Sequence, residues 1–478
     1  MQPMKNTIAL AVSFLTVFTA YQGILNIASS INQDKGLGVA SLSCINACCI
    51  VTDLLSPLYI HCVGLKRSFT LAFFAHCLYC LSNFHPTWWI LMPSSVLLGL
   101  TLSPMWIARH LYITTMGQTD CQGKLGDTHG SLSKHNGIFF AFFSLAQVTG
   151  NLLSSVILHQ SSADQSDLNQ AYICGADDCP GIRDKTTIII RPDTPVVNLL
   201  LMIYLTCQVI GLLVTILFLS PLNMEVWDRN NVIEKTFSCF GFVKQRTLLL
   251  LIPLKLSQAV NTSIMATGFT KAFVSCSAGV KMVGFVMMTS GLISSVCAIT
   301  FGHGAKHIGR KPLMAITLST DCVTPLSLLL WKPIAGETYH LFIIPSIWAV
   351  GDGIWKSQIM SLVAYLFPGG HQQLTGFASI VTMGDIGFTF VLITDRLLCL
   401  RIKLYVAIFL WVAAIVSYVI LEVVLAAQSQ STVCHYHGVN VTSDDDVTMR
   451  LPHADTNKYR TFVLTYDVTM TLPHANQK

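Results

Sequence analysis

The sequence predicts an all-α membrane protein of about twelve transmembrane helices in two six-helix halves. Three observations carry that prediction. Of 478 residues, 52% are hydrophobic and only 11% are Asp, Glu, Lys or Arg, with a mean hydropathy of +0.59. Soluble domains carry about 25% charged residues, and no globular core hides this much apolar chain behind a wettable surface; a bilayer does, because it replaces water around the outward faces. Apolar stretches of ~20 residues recur between short polar breaks, the length a helix needs to cross hydrocarbon. Finally, the first half echoes in the second. Pro93-Ser94 with Gly99 returns as Pro345-Ser346 with Gly351, and Gly64, Lys66 and Arg67 return as Gly309, Arg310 and Lys311. An internal repeat of this kind is the build of secondary transporters.

In chain order the predicted spans are 7–30, 39–62, 69–84, 88–108, 137–158 and 196–221, then 246–268, 281–302, 313–331, 340–366, 374–397 and 403–426. The first is too long, and too well followed by others, for a cleaved signal peptide, and is expected to act as an uncleaved signal anchor. The implied organisation is a six-helix half over 1–221, a cytoplasmic linker over 222–245, a second half over 246–426 and a flexible polar cytoplasmic tail over 427–478. With the N-terminus cytoplasmic, the inner loops hold Lys66, Arg67, Lys124, Lys134, Lys235, Lys244, Arg246, Lys306, Arg310 and Lys311. The largest outer loop, 159–195, has six aspartates (164, 167, 177, 178, 184 and 193) against Arg183, Lys185 and Arg191. That follows the positive-inside bias, with Arg396, Arg401 and Lys403 as exceptions. The formal charge of +5 is spread over many loops, so no nucleic-acid footprint is present and the lipid bilayer is the first partner.

The sixteen cysteines do not form a secreted-type framework. Most, such as Cys44, Cys48, Cys49, Cys77 and Cys80, sit in apolar runs, where a thiol acts as a small hydrophobe. Cys174 and Cys179 fall in the outer loop, on the oxidising face, where a disulfide between them is expected. In the tail, Asp446-Val-Thr-Met-Arg-Leu-Pro-His-Ala454 recurs as Asp467-Val-Thr-Met-Thr-Leu-Pro-His-Ala475. The Asn440-Val-Thr442 sequon would lie on the wrong side for glycosylation in this topology.

No nucleophile–base arrangement, metal-ligand spacing or cofactor motif stands in a convincing context, so the chain is not expected to be an enzyme and no cofactor is implied. Ionisable residues inside spans are more informative, because each costs ~2.5–3.5 kcal/mol near the bilayer centre. These are Asp53, Lys255, Asp352, Lys356, Asp385 and Glu422. Helical spacing puts Gln22, Asn26, Ser29 and Ser30 on one stripe of the first span. Lys255, Gln258, Asn261 and Thr262 share a stripe in the seventh, and Asp352, Trp355 and Gln358 in the tenth. Two uses compete: a polar cavity in which Lys255 and Asp352 pair, or hydrogen-bonding glue between helices.

The loop Gly302-His-Gly-Ala-Lys306-His-Ile-Gly309-Arg310-Lys311 resembles the major facilitator superfamily pattern G-x-x-x-D-R-x-G-R-K, with Lys306 in place of the Asp. Other blocks are similar to one branch of that superfamily. They are Ser29-Ser30 before Gly36-Leu-Gly38, Ser82-Asn83-Phe-His85 through Gly99 to Trp106, and Gly137-Ile-Phe-Phe140. To these add Gly150-Asn151-Leu-Leu-Ser154-Ser155, Cys174-Gly-Ala-Asp-Asp-Cys179 and Asp352-x-x-Trp355-x-x-Gln358. Over residues from about 7 to 425 the chain resembles the uncoordinated-93 (Unc-93) family, most closely its homolog A branch. It departs from the family at Arg109, where a Gln is usual, near Gly268, where an acidic residue is usual, and at Asp385, one position from the expected carboxylate.

The resemblance implies a superfamily-type fold, with the first, seventh and tenth spans lining a central cavity. It also implies a non-catalytic membrane protein, at the plasma membrane, that regulates a potassium channel or another membrane partner. The buried polar stripes favour the other reading, a secondary transporter of a small solute working by alternating access. Its contacts would be Asp352, Lys255 and the first-span stripe.

Overall fold

In a computed structural model of the chain, the described residues are 3–31, 37–121, 128–158, 174–179, 194–222, 245–333, 338–367 and 370–437. The tail repeat, the sequon and most of the linker lie outside them. Among the described residues twelve long helices form the fold. The first six are α1 (Pro3–Ile31), α2 (Leu37–Val63), α3 (Leu65–Ser82), α4 (Trp88–Cys121), α5 (Thr128–Leu158) and α6 (Thr194–Phe218). The second six begin with α7 (Arg246–Ser263), which runs on as a π-helix (Ile264–Ser275) and a last α-turn (Cys276–Ala278). There follow α8 (Val280–Ile308), α9 (Arg310–Leu330), α10 (Tyr339–Leu366), α11 (Gly370–Ile393) and α12 (Leu400–His437).

Ten of these are long and apolar enough to cross a membrane by length and composition. The other two are instructive. Helix α3 has only 18 residues and opens on Lys66 and Arg67. Helix α10 carries Asp352, Lys356 and Gln358, which lower its hydropathy, yet it packs against α5, α8 and α9. Several helices outrun the predicted spans: α4 continues to Cys121, the seventh to Ala278 and α12 to His437, past the expected end at 426. Hydropathy registers the hydrocarbon layer, whereas a helix propagates into water as long as its backbone bonds are made.

Packing repeats between the halves. Helix α4 lies against α2 and α3 as α10 lies against α8 and α9, and α1 packs on α5 as α7 packs on α11. The links α2–α3 and α8–α9 are single glycines with the same backbone, Gly64 (φ 84°, ψ 161°) and Gly309 (φ 82°, ψ 166°). That region of backbone space is almost closed to residues with a Cβ. Residues up to Leu421 form one compact unit; those from Glu422 form a second, of which the end of α12 is described.

The halves meet chiefly along α5–α8, then along α5–α10 and α2–α11. Small residues set the first contact. A Cβ on Gly137 would lie 2.5 Å from the Ala298 carbonyl, and one on Gly302 would lie 2.8 Å from the Gly137 Cα. Without a hydrophobic drive between helices in lipid, such close approach and the hydrogen bonds it permits are what bind them. Ser295 Oγ donates to the Ala141 carbonyl at 2.9 Å, and Gln358 Nε2 donates to Ser133 Oγ at 2.6 Å.

At one end of the bundle a disulfide clasp replaces the bond expected between Cys174 and Cys179. Cys174 is bonded to Cys276 at the end of the seventh span, and Cys179 to Cys399 just before α12. The reason is backbone docking. Gly175 N–H donates to the Ala272 carbonyl, and the Leu400 and Arg401 N–H groups donate to the carbonyls of Asp178 and Ala176, all at 2.9–3.0 Å. Docked this way, the segment 174–179 brings each thiol to a different helix of the second half. Arg401 and Lys403, exceptions to the charge rule, are paired here, with Asp177 and Asp395 respectively, each at 2.8 Å. Burial pushes the Asp395 carboxyl up, but the ammonium groups of Lys403 and Lys271 outweigh it and hold it below the usual carboxylate range.

Candidate functional site

Between the halves lies a cavity of about 230 Å³. Helix α4 contributes Trp106, Arg109 and His110, and α5 contributes Phe140. From the second half come Lys255, Gln258, Ala259 and Thr262 on α7, Trp355, Lys356, Ile359 and Met360 on α10, and Val381, Gly384, Asp385 and Phe388 on α11. Apolar walls with a few convergent charges are the usual make-up of a small-molecule site.

Each charged group is held differently. Lys255 Nζ donates to Gln258 Oε1 at 2.8 Å, one turn along α7, and also senses the Asp385 carboxylate. Asp385 itself faces Asp53 of α2, whose other neighbour is the Ser103 hydroxyl. Lys356 Nζ sits 2.5 Å from Asp352 Oδ2, which also accepts from Ser294 Oγ at 2.8 Å. Trp355 Nε1 donates to Asp321 Oδ2 of α9 at 2.7 Å, fixing the indole as a cavity wall. Arg109 Nη2 donates to His110 Nε2 at 2.8 Å. A guanidinium can only donate, so the ring proton of His110 is on Nδ1.

Six of the stripe and in-span ionisable residues singled out from sequence line this cavity: Lys255, Gln258, Thr262, Trp355, Lys356 and Asp385. The expected pair of Lys255 with Asp352 is not formed. Asp352 lies one turn from Lys356 on the same helix, and that ammonium reaches it first. Asp352 is therefore buried behind the wall. Gln358 is spent on Ser133, and Asn261 is buried beside the cavity with no partner for its Nδ2. Gln22 is half-buried on α1 and does not reach the cavity; the side chains of Asn26 and Ser30 lie outside the described residues. Helix α1 fronts the site with Phe14 and Phe18 instead, stacked at 5.5 Å and edge-on to or tilted against Trp106. Helices α4 and α11 take the place given to α1. Lys306, Gly309, Arg310 and Lys311 stand at the α8–α9 link, away from the lining. Sequence reasoning noted Arg109 only as a departure from the family pattern, and placed neither it nor His110 in the site. Ending the fourth span at 108 leaves both outside the bilayer, whereas α4 continues for three more turns.

Three comparisons agree. The profile described as ion channel regulatory protein UNC-93 matches residues 28–420. Protein unc-93 homolog A of Xenopus laevis is 31% identical over 432 residues, covering 88% of this chain and 94% of that protein. The putative potassium channel regulatory protein unc-93 of Caenorhabditis elegans is 29% identical over 368 residues, 74% of this chain and 52% of that protein. Among solved structures, the Escherichia coli fucose:proton symporter superposes with a TM-score of 0.63 at 10% identity, over 87% of this chain and 99% of its own. That likeness is one of fold, the major facilitator fold. With a match over most of its length, this chain belongs to the UNC-93 family of ion channel regulatory proteins.

Proposed function

We propose that the protein is a non-catalytic regulator of a membrane partner, a potassium channel or another integral membrane protein, acting at the plasma membrane. The observation that carries this is the family match over residues 28–420, together with the name of the nematode relative. The helix bundle has ample lipid-facing surface for such a partner: α6 and α12 expose Leu199, Met202, Leu217, Phe409, Val416 and Val423. Cross-linking the tagged protein in intact cells, extracting it in mild detergent and quantifying co-purifying membrane proteins tests the reading. A channel recovered near stoichiometry, and lost on substitution of exposed α6 or α12 residues, is the expected result. Recovery of the protein alone, or only with chaperones, would overturn it.

The cavity favours a second reading, a secondary transporter of a small solute by alternating access. Desolvated charges around a cavity are costly, and a scaffold that only docks a channel has no need of them. Under that reading cavity substitutions abolish activity and lipid-facing ones do not.

A further inference from the structure

We propose that the cavity binds a small organic anion, a monocarboxylate or like oxyanion with an apolar body, whose charge is taken by Arg109. The inference rests on the solute-binding reading of the cavity and names the class of solute; it does not require that the solute be carried across the membrane.

The argument begins with an unanswered charge. Arg109 is 1% exposed and lines the cavity. Its Nη2 is taken by His110, but Nε and Nη1, which hold most of the N–H donors, have no acceptor. No carboxylate among the described residues pairs with it. Its guanidinium lies instead over three rings, Phe140 at 4.5 Å, Phe139 at 4.7 Å and Trp106 at 5.3 Å. Cation–π contacts offset part of the desolvation but leave the in-plane donors empty. His110 adds another donor without an acceptor, its Nδ1. Buried arginines are ordinarily paired, because an isolated charge in a dry site is expensive.

The other cations of the cavity are accounted for. Lys356 has Asp352, and Lys255 has Gln258 and the field of Asp385. Arg109 is therefore the group left over, and it repels Lys255 across the same space. An anion entering there satisfies the idle donors and relieves that repulsion. A cation would meet the unpaired guanidinium of Arg109, and a neutral solute would leave the charge as it stands. Arginine suits the task because its planar fork grips carboxylates in fixed geometry.

Size and lining bound the rest of the ligand. An apolar cavity of roughly 150 Å³ accommodates benzene, so about 230 Å³ admits an anion of benzoate size. Trp106, Trp355, Phe140 and Phe388 supply the apolar wall against which its body would pack.

The test uses the purified full-length protein in nanodiscs and follows thermal unfolding with a series of monocarboxylates from acetate to benzoate. Each is compared with its amide, and benzylamine serves as the cation. Binding to the folded state raises Tm in a saturable way. The expected result is a shift with benzoate that benzamide and benzylamine do not give at equal concentration. In R109Q the expected apparent affinity for benzoate is at least about tenfold weaker, while the ligand-free Tm is unchanged or higher because an unpaired charge is gone. A filled cavity, A259W, should lose the shift as well.

Equal shifts from benzoate and benzamide would overturn the proposal, and that comparison needs no variant to fold. A benzoate shift unchanged in R109Q would also overturn it. If amides or benzylamine bind in preference and A259W abolishes that binding, the anion proposal fails while the solute reading of the cavity stands. If no probe binds, both fall.

Discussion

Asp352 and Lys356 are one turn apart on α10, and their bond is the most buried ion pair of the described bundle. Replacing Asp352 with Asn keeps the hydrogen bond from Ser294 but strands the ammonium of Lys356. Removing one member of a buried pair costs about 3–5 kcal/mol, and the 18% exposure of Lys356 places this case near the lower end. The double variant Asp352→Asn/Lys356→Met should regain much of the loss, since neither charge then lacks a partner. Chemical denaturation in detergent measures both, and a double variant no more stable than the single would refute the account. At this scale the sequence was half readable. Spacing identified Asp352, Trp355 and Gln358 as polar residues of one span. Lys356 stands at i+4 from Asp352, a pairing that spacing does offer. The partners of Trp355 and Gln358 depend instead on distances across helices, and Asp321 and Ser133 cannot be matched to them by spacing alone. Arg109 was hidden for another reason: a charge next to a hydropathy minimum reads as a loop end.

The α2–α3 and α8–α9 links give the element scale its clearest case. Gly309 holds a backbone that residues with a Cβ avoid, so Gly309→Ala should destabilise the α8–α9 corner by about 1–3 kcal/mol. Gly304, a turn earlier in α8, has helical backbone, and a Cβ there meets only the Ile308 Cδ1 at 3.3 Å. Gly304→Ala should be neutral or stabilising by up to ~1 kcal/mol. Thermal unfolding of the two variants side by side checks the contrast, and equal losses would mean that the corner is not strained. The repeat of Gly64 in Gly309 was legible because backbone geometry that demands glycine leaves a residue-level mark. Helix ends were less so. Nothing in hydropathy marks where α4 stops at Cys121, since that end is polar and is fixed by backbone bonding rather than by lipid.

For the whole molecule, the clasp matters most. Cys174 and Cys179 belong to the stretch between α5 and α6, and their partners to the second half. If a protease site is placed within 223–244 and cut, the two fragments should migrate together on a non-reducing gel and separate with reductant. Cys276→Ser or Cys399→Ser alone should leave them joined, and the double variant should release them. Fragments that part without reductant would show that the bonds do not form. Twelve spans and their pseudo-repeat were readable from composition and periodicity, because each span must satisfy the bilayer by itself. The pairing of thiols was not, because cysteine spacing never reveals which partner folding will bring near. That pairing also dictates an order of events during synthesis. Cys179 waits for a residue 220 positions later in the chain. At about 5–20 residues per second the ribosome needs roughly 10–45 s to deliver it. Until Cys276 arrives, 102 positions after Cys174, Cys174 and Cys179 are each other's nearest thiols along the chain, five residues apart. Maturation therefore depends on keeping that short bond from forming, or on an isomerase to undo it, and the finished clasp certifies that the chain has been made as far as the start of α12.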